Sequence, residues 1–300
     1  MTRDLEQGKE TAPSAAPPAG TQAPKQYPKE TTYIPVVPGK PVPEPKYGEV
    51  LYYPKGKLKG WGGTAIVELL PSGNIIKTPI PDPYYLPEER DHFRNMRLEA
   101  KVFGLVGEHP RIPRIFAWDD ESACLEMEYL VNGNLKIYMQ MNQEITLPLR
   151  LKWCCQAAEA ISVLHKHEVV HCDISPRNFL LDAELDLKIS DFGGSSLYGA
   201  EPSATPETRF RHPGYDWAVR PVYADDIFSL GSLVYFIETG SYPYGEISSD
   251  SVEKMYESGQ FPDTSCLVCG AVILKCWRRE IPSACAVYEA LESLTGQTLL

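Results

Sequence analysis

The feature that most constrains this chain is a polar segment followed at a fixed distance by a triplet that begins with an aspartate. Residues 171–181 read His-Cys-Asp-Ile-Ser-Pro-Arg-Asn-Phe-Leu-Leu, in which Asp173 and Asn178 lie five residues apart. Thirteen residues after Asn178 comes Asp191-Phe192-Gly193, directly behind the strand-like Leu187-Lys188-Ile189 and Ser190. The pattern predicts two loops, carrying two carboxylates and an amide, that are separated by short apolar strands.

This order and spacing resemble the protein kinase family, whose signature is H-R-D-x-x-x-x-N followed by D-F-G. The resemblance implies ATP- and Mg²⁺-dependent transfer of a phosphoryl group to a protein hydroxyl. That chemistry needs a carboxylate beside the acceptor hydroxyl and hard oxygen ligands for magnesium. It implies that Asp173 is the catalytic base and that Asn178 and Asp191 hold the metal. Each element alone is weak evidence, whereas the ordered pair at this spacing is specific.

The N-terminal half contains further segments that resemble the family's nucleotide site. Gly60-Trp61-Gly62-Gly63-Thr64-Ala65-Ile66-Val67 is similar to the glycine-rich loop G-x-G-x-x-G-x-V, with Ala65 in place of the third glycine. Such glycines let backbone N–H groups approach phosphates. The resemblance implies that Lys77 contacts the phosphates and pairs with Glu99. The implied nucleotide-binding residues of this half are Gly60, Gly62, Gly63, Val67, Lys77 and Glu99.

The remaining nucleotide contacts implied by the resemblance lie at the junction of the two halves and beyond it. Met127-Glu128-Tyr129-Leu130 resembles the hinge, with Met127 beside the back pocket and backbone groups of Glu128 and Leu130 at the adenine edge. Leu180 is expected to close the adenine pocket from below. Asp226-Ile227-Phe228-Ser229-Leu230-Gly231 resembles the D-x-W-S-x-G segment, whose Asp supports the family's catalytic loop, here residues 171–178, through backbone hydrogen bonds.

Several positions depart from the family pattern. Cys172 replaces the Arg that pairs with a phosphorylated activation segment, so we predict activity that does not depend on that phosphate. Ser175 stands where serine/threonine kinases carry Lys, while Arg177 falls where many tyrosine kinases place an Arg near the γ-phosphate. The acceptor type therefore stays open, with Ser/Thr favoured because it is the larger class. Arg211-His212-Pro213-Gly214 lacks the Glu of A-P-E, and no Arg follows at its partner's position in residues 281–285.

The order of predicted elements indicates an α+β, two-lobed fold. Strands and one helix (residues 88–106) precede a mainly helical second half, with helices predicted over 149–167, 224–239, 249–258, 266–278 and 283–294. A β-rich N-terminal lobe with its hinge is predicted over 49–130 and a helical C-terminal lobe over 131–300. Strands are predicted at 67–70 and 75–77, joined by a turn, and at 114–118 and 124–129.

Residues 1–48 are predicted to be a disordered tail. Ten of the chain's prolines fall between Pro13 and Pro45 and would interrupt any helix or sheet ladder. Pro38 and Pro41 form a P-x-x-P spacing, so the tail is either a partner-docking segment or, more commonly, a passive extension. No apolar run is long enough to span a bilayer, and residues 1–4 are polar, which favours an intracellular location, cytoplasmic or nuclear. The net charge of −11 argues against nucleic-acid binding.

Three other interpretations remain open from the sequence. A pseudokinase, which binds nucleotide or partners without phosphotransfer, is supported by Ser175, Gly214 and Ala65. A small-molecule kinase is disfavoured because residues 226–276 resemble the C-terminal lobe of protein kinases. Four late cysteines, beginning with Cys266 and Cys269, could suggest zinc, but packing as small hydrophobes is favoured. The resemblance is to small, divergent members such as those found in fungi.

Overall fold

The N-terminal lobe is a five-stranded antiparallel sheet. The computed structural model describes residue 28, residues 31–142 and residues 144–298. The strands are β3 Lys57–Trp61, β4 Ala65–Leu69, β5 Ile75–Pro79, β6 Ile115–Asp119 and β7 Cys124–Met127. Their spatial order is β3-β4-β5-β7-β6, and β4 and β5 flank the turn predicted at 71–74. Ile66 of β4 is fully buried.

One long helix, α1 Leu86–Val106, packs against this sheet. Pro87 occupies its first turn together with Glu88 and Glu89, as favoured at a helix N-terminus. It ends at Gly107, whose φ of 70° is readily adopted only by glycine. The helix buries Glu99 on its inner face, which directs a carboxylate toward the sheet.

The C-terminal lobe is helical, as expected from its apolar periodicity. The helices are α2 Leu135–Met141, α3 Leu147–Lys166, α4 Tyr223–Thr239, α5 Ser249–Glu257, α6 Gly270–Trp277 and α7 Ala284–Thr298. The central helix α4 is buried over most of its length, and the buried face predicted for α3 is formed by Leu151, Cys154, Ala158, Ile161 and Leu164. Helix α3 packs on α7 and α4, and α4 packs on α6.

Short antiparallel strand pairs carry the two loops singled out in the sequence. Strand β9 Phe179–Leu181 pairs with β10 Leu187–Ile189, and β8 Val169–Val170 pairs with β11 Ser196–Leu197. A single 3-10 turn covers Phe192–Gly194. The polar segment therefore lies between β8 and β9, and the Asp-Phe-Gly triplet lies directly after β10, at the junction of the two lobes.

The tail prediction is wrong for its second part. Strand β1 Thr32–Pro35 pairs in parallel with β2 Glu49–Tyr52, and Tyr33 packs its ring on Trp61 at a centroid distance of 4.9 Å. Pairing with β2 orders β1, although the prolines of this segment favour disorder. Residues 37–47, which include Pro38 and Pro41, are all exposed. Residues 1–27, 29 and 30 lie outside the described residues.

The α+β, two-lobed architecture is confirmed, and the predicted helices agree to within a few residues. Helix α6 begins four residues later than predicted because the preceding residues form turns, in which the Leu267 N–H donates to the Thr264 carbonyl at 3.1 Å and the Gly270 N–H to the Leu267 carbonyl at 3.2 Å. Helix α2 and strands β1–β3 were not predicted. The eight cysteines are free, and within the described residues no cluster of three or more potential metal ligands occurs.

Candidate active site

A cavity of about 350 Å³ opens between the two lobes and collects nearly all of the predicted site residues. Asp173 does not line it, but contacts Asn178, which does. The cavity also exposes residues that the sequence did not single out, among them Lys59, Thr64, Ile75 and Ser190. The predicted residues that line it are Gly60, Gly62, Gly63, Val67, Lys77, Glu99, Met127, Glu128, Leu130, Arg177, Asn178, Leu180 and Asp191.

A three-membered charge network occupies the back of the cavity. The Lys77 Nζ lies 2.6 Å from a Glu99 oxygen and 2.8 Å from Asp191 Oδ1. Burial by itself would lower the pKa of Lys77, but the two carboxylates more than offset this and hold it above its usual value. The same ammonium lowers the pKa of Asp191. Lys77 is therefore a fixed cation and Asp191 a fixed anion at neutral pH.

The polar loop between β8 and β9 presents Asp173. The Asn178 amide nitrogen donates to the Asp173 carbonyl at 2.7 Å and to its carboxylate at 3.0 Å. The Asp173 N–H donates to the buried His171 Nδ1 at 3.2 Å. Burial raises the pKa of Asp173, opposed by His171 and by the Asn178 hydrogen bond. A carboxylate whose pKa is raised in this way is better matched to accept a proton near neutral pH.

Asp226 supports this loop from below. It is almost fully buried, and its carboxylate accepts the backbone N–H groups of His171 at 2.8 Å and Cys172 at 3.1 Å. The His165 Nε2 lies 3.0 Å from the same carboxylate. Cys172 has a φ of 65°, so the two fixed N–H groups hold a backbone turn that a non-glycine residue rarely adopts. We call Asp226 and these three contacts the Asp226 brace.

The hinge offers two backbone groups to the cavity. The Glu128 N–H donates to the Arg114 carbonyl at 2.8 Å, and the Leu130 carbonyl accepts from the Gly133 N–H at 3.0 Å. Within the described residues, the Glu128 carbonyl and the Leu130 N–H are then left for a ligand. The Glu128 carboxylate forms an ion pair with Lys188 Nζ at 2.8 Å, so this side chain is engaged by the protein itself. One acceptor and one donor at this spacing suit the edge of a nucleobase.

A charged and an aromatic side chain lie at the opening of the cavity. Lys59, directly before the glycine-rich loop, donates to the Tyr129 hydroxyl at 2.7 Å and lies 4.7 Å from the centre of its ring. The loop itself leaves room for phosphates, because a Cβ at Gly63 would meet nothing within 4 Å. The sequence offered one signal for Lys59, namely its position immediately before Gly60.

The activation segment, which follows Asp191, reaches the catalytic loop through an ion pair. Arg177 of that loop donates to the Glu207 carboxylate, and both side chains are a little over 40% exposed. We call this contact the Arg177–Glu207 pair. It places a carboxylate of the activation segment beside the catalytic loop, where Cys172 provides no cation for a phosphate.

The end of the activation segment is held without an A-P-E glutamate. Arg209 donates to the backbone carbonyls of Tyr244 and Ile247, and Arg211 pairs with Glu253 at 3.0 Å. The Ser232 hydroxyl donates to the Arg209 carbonyl at 2.8 Å. Two arginines of the segment therefore replace the missing buried ion pair with contacts to the C-terminal lobe.

The residues present fit a nucleoside triphosphate with magnesium. Asp191 offers carboxylate oxygens, and Asn178 offers its amide oxygen because its nitrogen is engaged by Asp173. These are the hard oxygen ligands that Mg²⁺ prefers. Lys77 and the side-chain-free glycines lie on the same cavity, so cations and backbone donors face the space for phosphates.

The fold and this site together define a protein kinase domain. The model of the protein tyrosine and serine/threonine kinase family matches residues 86–291, which is more than half of the chain. The chain therefore belongs to this family of phosphotransferases.

Curated relatives agree with this assignment. The chain is 31% identical over 173 residues to human serine/threonine-protein kinase 32B, covering 52% of this chain and 40% of that protein. It is 30% identical over 209 residues to a probable receptor-like protein kinase of Arabidopsis thaliana, covering 64% and 42%. It is 26% identical over 223 residues to an Aurora kinase of Debaryomyces hansenii, covering 72% and 50%. The matched part thus spans half or less of each of these relatives.

Proposed function

We propose that this protein is an active kinase that transfers the γ-phosphoryl group of ATP to a protein hydroxyl. The observation that carries the proposal is the joint placement of Lys77, Glu99 and Asp191 in one ion-paired network, on the cavity that Asn178 also lines. A pseudokinase commonly lacks one of these groups, whereas here the cation, both anions and the loop carboxylate Asp173 are present together.

Bound ATP would supply the phosphoryl group, with Mg²⁺ neutralising the charge on its phosphates. Asn178 and Asp191 would hold the metal ion, and Lys77 with the N–H groups of the glycine-rich loop would bind the phosphates. The Glu128 carbonyl and the Leu130 N–H would orient the adenine, enclosed by Val67, Met127 and Leu180. Asp173 would accept the proton of the acceptor hydroxyl, aided by a pKa that burial raises. Arg177 would contribute positive charge near the γ-phosphate, in competition with Glu207.

The acceptor we propose is Ser or Thr. Pro176 follows the serine/threonine pattern, and the human relative of 31% identity is a serine/threonine-protein kinase by name. Arg177 is the feature that favours Tyr instead, so a peptide library with all three hydroxyl residues should be used. A preference for Tyr peptides would overturn this part of the proposal.

Radiolabelled phosphate transfer from ATP with magnesium tests the activity. We expect Asp173→Ala to lower the rate by about 10²–10⁴-fold, because general-base catalysis typically contributes that much. Glu184→Ala, which changes an exposed carboxylate in the turn between β9 and β10, serves as the matched control. Equal background from the wild type and Asp173→Ala would favour the pseudokinase alternative.

Thermal shift with Mg²⁺ and ATP then tests nucleotide and metal binding independently of phosphotransfer. An active kinase and a nucleotide-binding pseudokinase both gain stability from the ligand. Asp191→Asn is expected to reduce the shift because it removes metal-binding charge. An unchanged shift in Asp191→Asn would contradict the assigned metal site.

Location and partners are separate proposals. No helix in the described part of the chain is long and apolar enough to cross a bilayer. We propose an intracellular protein, cytoplasmic or nuclear, that does not act on nucleic acid. The exposed P-x-x-P spacing of Pro38 and Pro41 is proposed as a docking segment, supported by anchoring of its two ends through β1 and β2. Loss of partner capture in Pro38→Ala/Pro41→Ala would support it.

A further inference from the structure

One of the cations in the cavity between the two lobes has no carboxylate partner. The positively charged side chains that line this cavity are Lys59, Lys77 and Arg177. Lys77 and Arg177 each form ion pairs with carboxylates of the protein. Among the described residues, no carboxylate oxygen lies within 4.0 Å of Lys59 Nζ. The charge of Lys59 is therefore available to a ligand, whereas the other two charges are already compensated.

A β-bulge directs Lys59 to the cavity. Where β3 pairs with β4, Leu58 lies opposite Glu68. Gly60 lies opposite Val67, which leaves Lys59 as the extra residue of β3. Bulges of this kind bend a strand and change the direction of a side chain, and they are frequent beside active sites. As a result, the consecutive residues Lys59 and Gly60 both line the cavity, whereas successive side chains of a regular strand point to opposite faces.

Lys59 reaches across the opening of the cavity to the hinge. Its Nζ donates to the Tyr129 hydroxyl at 2.7 Å and lies 4.7 Å from the centre of the ring. Strand β3 is an edge strand, and β4 and β5 separate it from β7, which leads into the hinge. Lys59 is exposed and Tyr129 is partly buried, so they meet at the entrance. This contact, which we call the Lys59–Tyr129 contact, joins the glycine-rich wall of the cavity to the hinge wall.

The back of the cavity offers an approaching anion no comparable attraction. There the Lys77 ammonium faces the carboxylates of Glu99 and Asp191, so this network has no positive charge in excess. An uncompensated charge at the entrance of a cleft raises the local concentration of ions of opposite sign. Before a metal ion binds, attraction of an anionic nucleotide therefore depends on Lys59.

We propose that the Lys59–Tyr129 contact makes this cavity selective for anionic nucleotides over neutral adenine compounds. A ligand that enters between the glycine-rich loop and the hinge displaces Lys59 from Tyr129, because the contact spans the opening. A phosphate compensates for this loss with charge-assisted hydrogen bonds to the ammonium. A neutral nucleoside offers no such bond, so it breaks the contact without compensation. The proposal rests on nucleotide binding at the cavity, which is part of the proposed function, but not on phosphotransfer.

Isothermal titration calorimetry with the full chain tests this selectivity. Adenosine, AMP and ADP share the base and the sugar and differ in charge, and each is titrated in the presence of Mg²⁺. We expect Lys59→Met to weaken ADP binding by about tenfold, because the phosphates lose hydrogen bonds to a charged donor. The same variant should bind adenosine about threefold more tightly, because the neutral ligand no longer breaks a hydrogen bond and a cation–π contact. Lys57→Met changes an exposed Lys of the same strand and should leave both affinities within about twofold.

Tyr129→Phe separates the hydroxyl from the cation. It keeps the ring and Lys59 but removes the acceptor of the hydrogen bond. We expect adenosine to bind about threefold more tightly to this variant, and ADP to bind at least as tightly as to the wild type. AMP should show an intermediate response in each variant because its charge is intermediate. If Lys59 and Tyr129 only supported the hinge, all three ligands would change by the same factor.

Two results would overturn the proposal. One is an unchanged ratio of the adenosine and ADP dissociation constants in Lys59→Met, and the other is an equal change of this ratio in Lys57→Met. Thermal melts establish that each variant is folded, and Lys59→Gln replaces Lys59→Met if it is not. A wild type that binds ADP, with a ratio that Lys59→Met leaves unchanged, contradicts only the role of the Lys59–Tyr129 contact. A wild type that binds none of the three ligands contradicts the proposed nucleotide site as well.

Discussion

The two supports of the catalytic loop differ in burial and in the strength expected of them. The Asp226 brace is nearly inaccessible and joins one carboxylate to two backbone N–H groups and an imidazole. The Arg177–Glu207 pair joins two side chains that are each a little over 40% exposed. A buried charged acceptor is costly to remove, whereas an exposed pair is worth about 0–1 kcal/mol. The brace should therefore determine stability, and the pair should determine how the activation segment is positioned.

Removal of the brace carries the largest expected effect. Asp226→Ala leaves two buried N–H groups without an acceptor, so we expect a loss of about 3–5 kcal/mol in the free energy of unfolding. Urea unfolding followed by tryptophan fluorescence measures this loss. Glu257→Ala, an exposed carboxylate on α5, is the control and should change stability by less than about 0.5 kcal/mol. Equal stability of both variants would contradict the role of the brace.

Removal of the pair is expected to change activity more than stability. We expect Arg177→Ala to lower kcat/KM by about tenfold while changing the free energy of unfolding by less than about 1 kcal/mol. Steady-state kinetics with a peptide substrate measures the first quantity, and urea unfolding the second.

A charge exchange separates the two functions of Arg177. Arg177→Glu/Glu207→Arg restores an ion pair but moves the cation away from the catalytic loop. If Arg177 acts only by holding the activation segment, the exchanged protein should recover wild-type rates. If it also supplies charge near the phosphate, as we propose, activity should stay low although the ion pair is restored.

The end of the activation segment should respond to pH through His212. Burial, with a contribution from Arg279, lowers the pKa of His212 from 6.5 to about 4. Folding therefore favours the neutral ring, so this contribution is fully present above pH 6.5 and is lost as the pH falls toward 4. We expect the stability of the wild type to decline between pH 6.5 and 5 and His212→Gln to show a flatter profile there. Parallel profiles would contradict a half-buried His212 that folding keeps neutral.

Phosphatase treatment should have the smallest effect. The activation segment is joined to the catalytic loop by the Glu207 carboxylate, and Cys172 offers no cation to a phosphate. We therefore expect the same kinase rate before and after treatment, as measured on one preparation. Loss of activity after dephosphorylation would show that the segment depends on a phosphate despite Cys172.

The contrast between the Asp226 brace and the Arg177–Glu207 pair also explains which parts of the molecule could be predicted from the sequence. Asp173, Asn178, Asp191 and Asp226 lie in motifs whose residue types and spacing are set by local chemistry, so the resemblance assigned them residue by residue. Glu207 could not be found in this way, because it meets Arg177 from thirty residues along the chain in a segment without a regular pattern.

Two other features that the sequence did not predict also depend on contacts between residues that are distant along the chain. Lys59 reaches Tyr129 from seventy residues away, so neither residue carries a local signal for the contact. Strand β1 is stabilised by parallel pairing across a proline-rich connection, and local propensity there indicates disorder. The helices, whose apolar faces repeat along the chain, were predicted to within a few residues except for the short α2.

The packing of Tyr33 on Trp61 has a practical consequence for protein engineering. Trp61 lies within the glycine-rich loop, and its ring contacts both Tyr33 of β1 and Tyr52 of β2, at 4.9 and 5.7 Å. A truncation at residue 49, which the composition of the chain would recommend, deletes β1 and with it one of these two rings. Inhibitor affinities and crystal forms obtained from such a shortened protein would then describe a loosened phosphate loop rather than the one that the longer chain maintains.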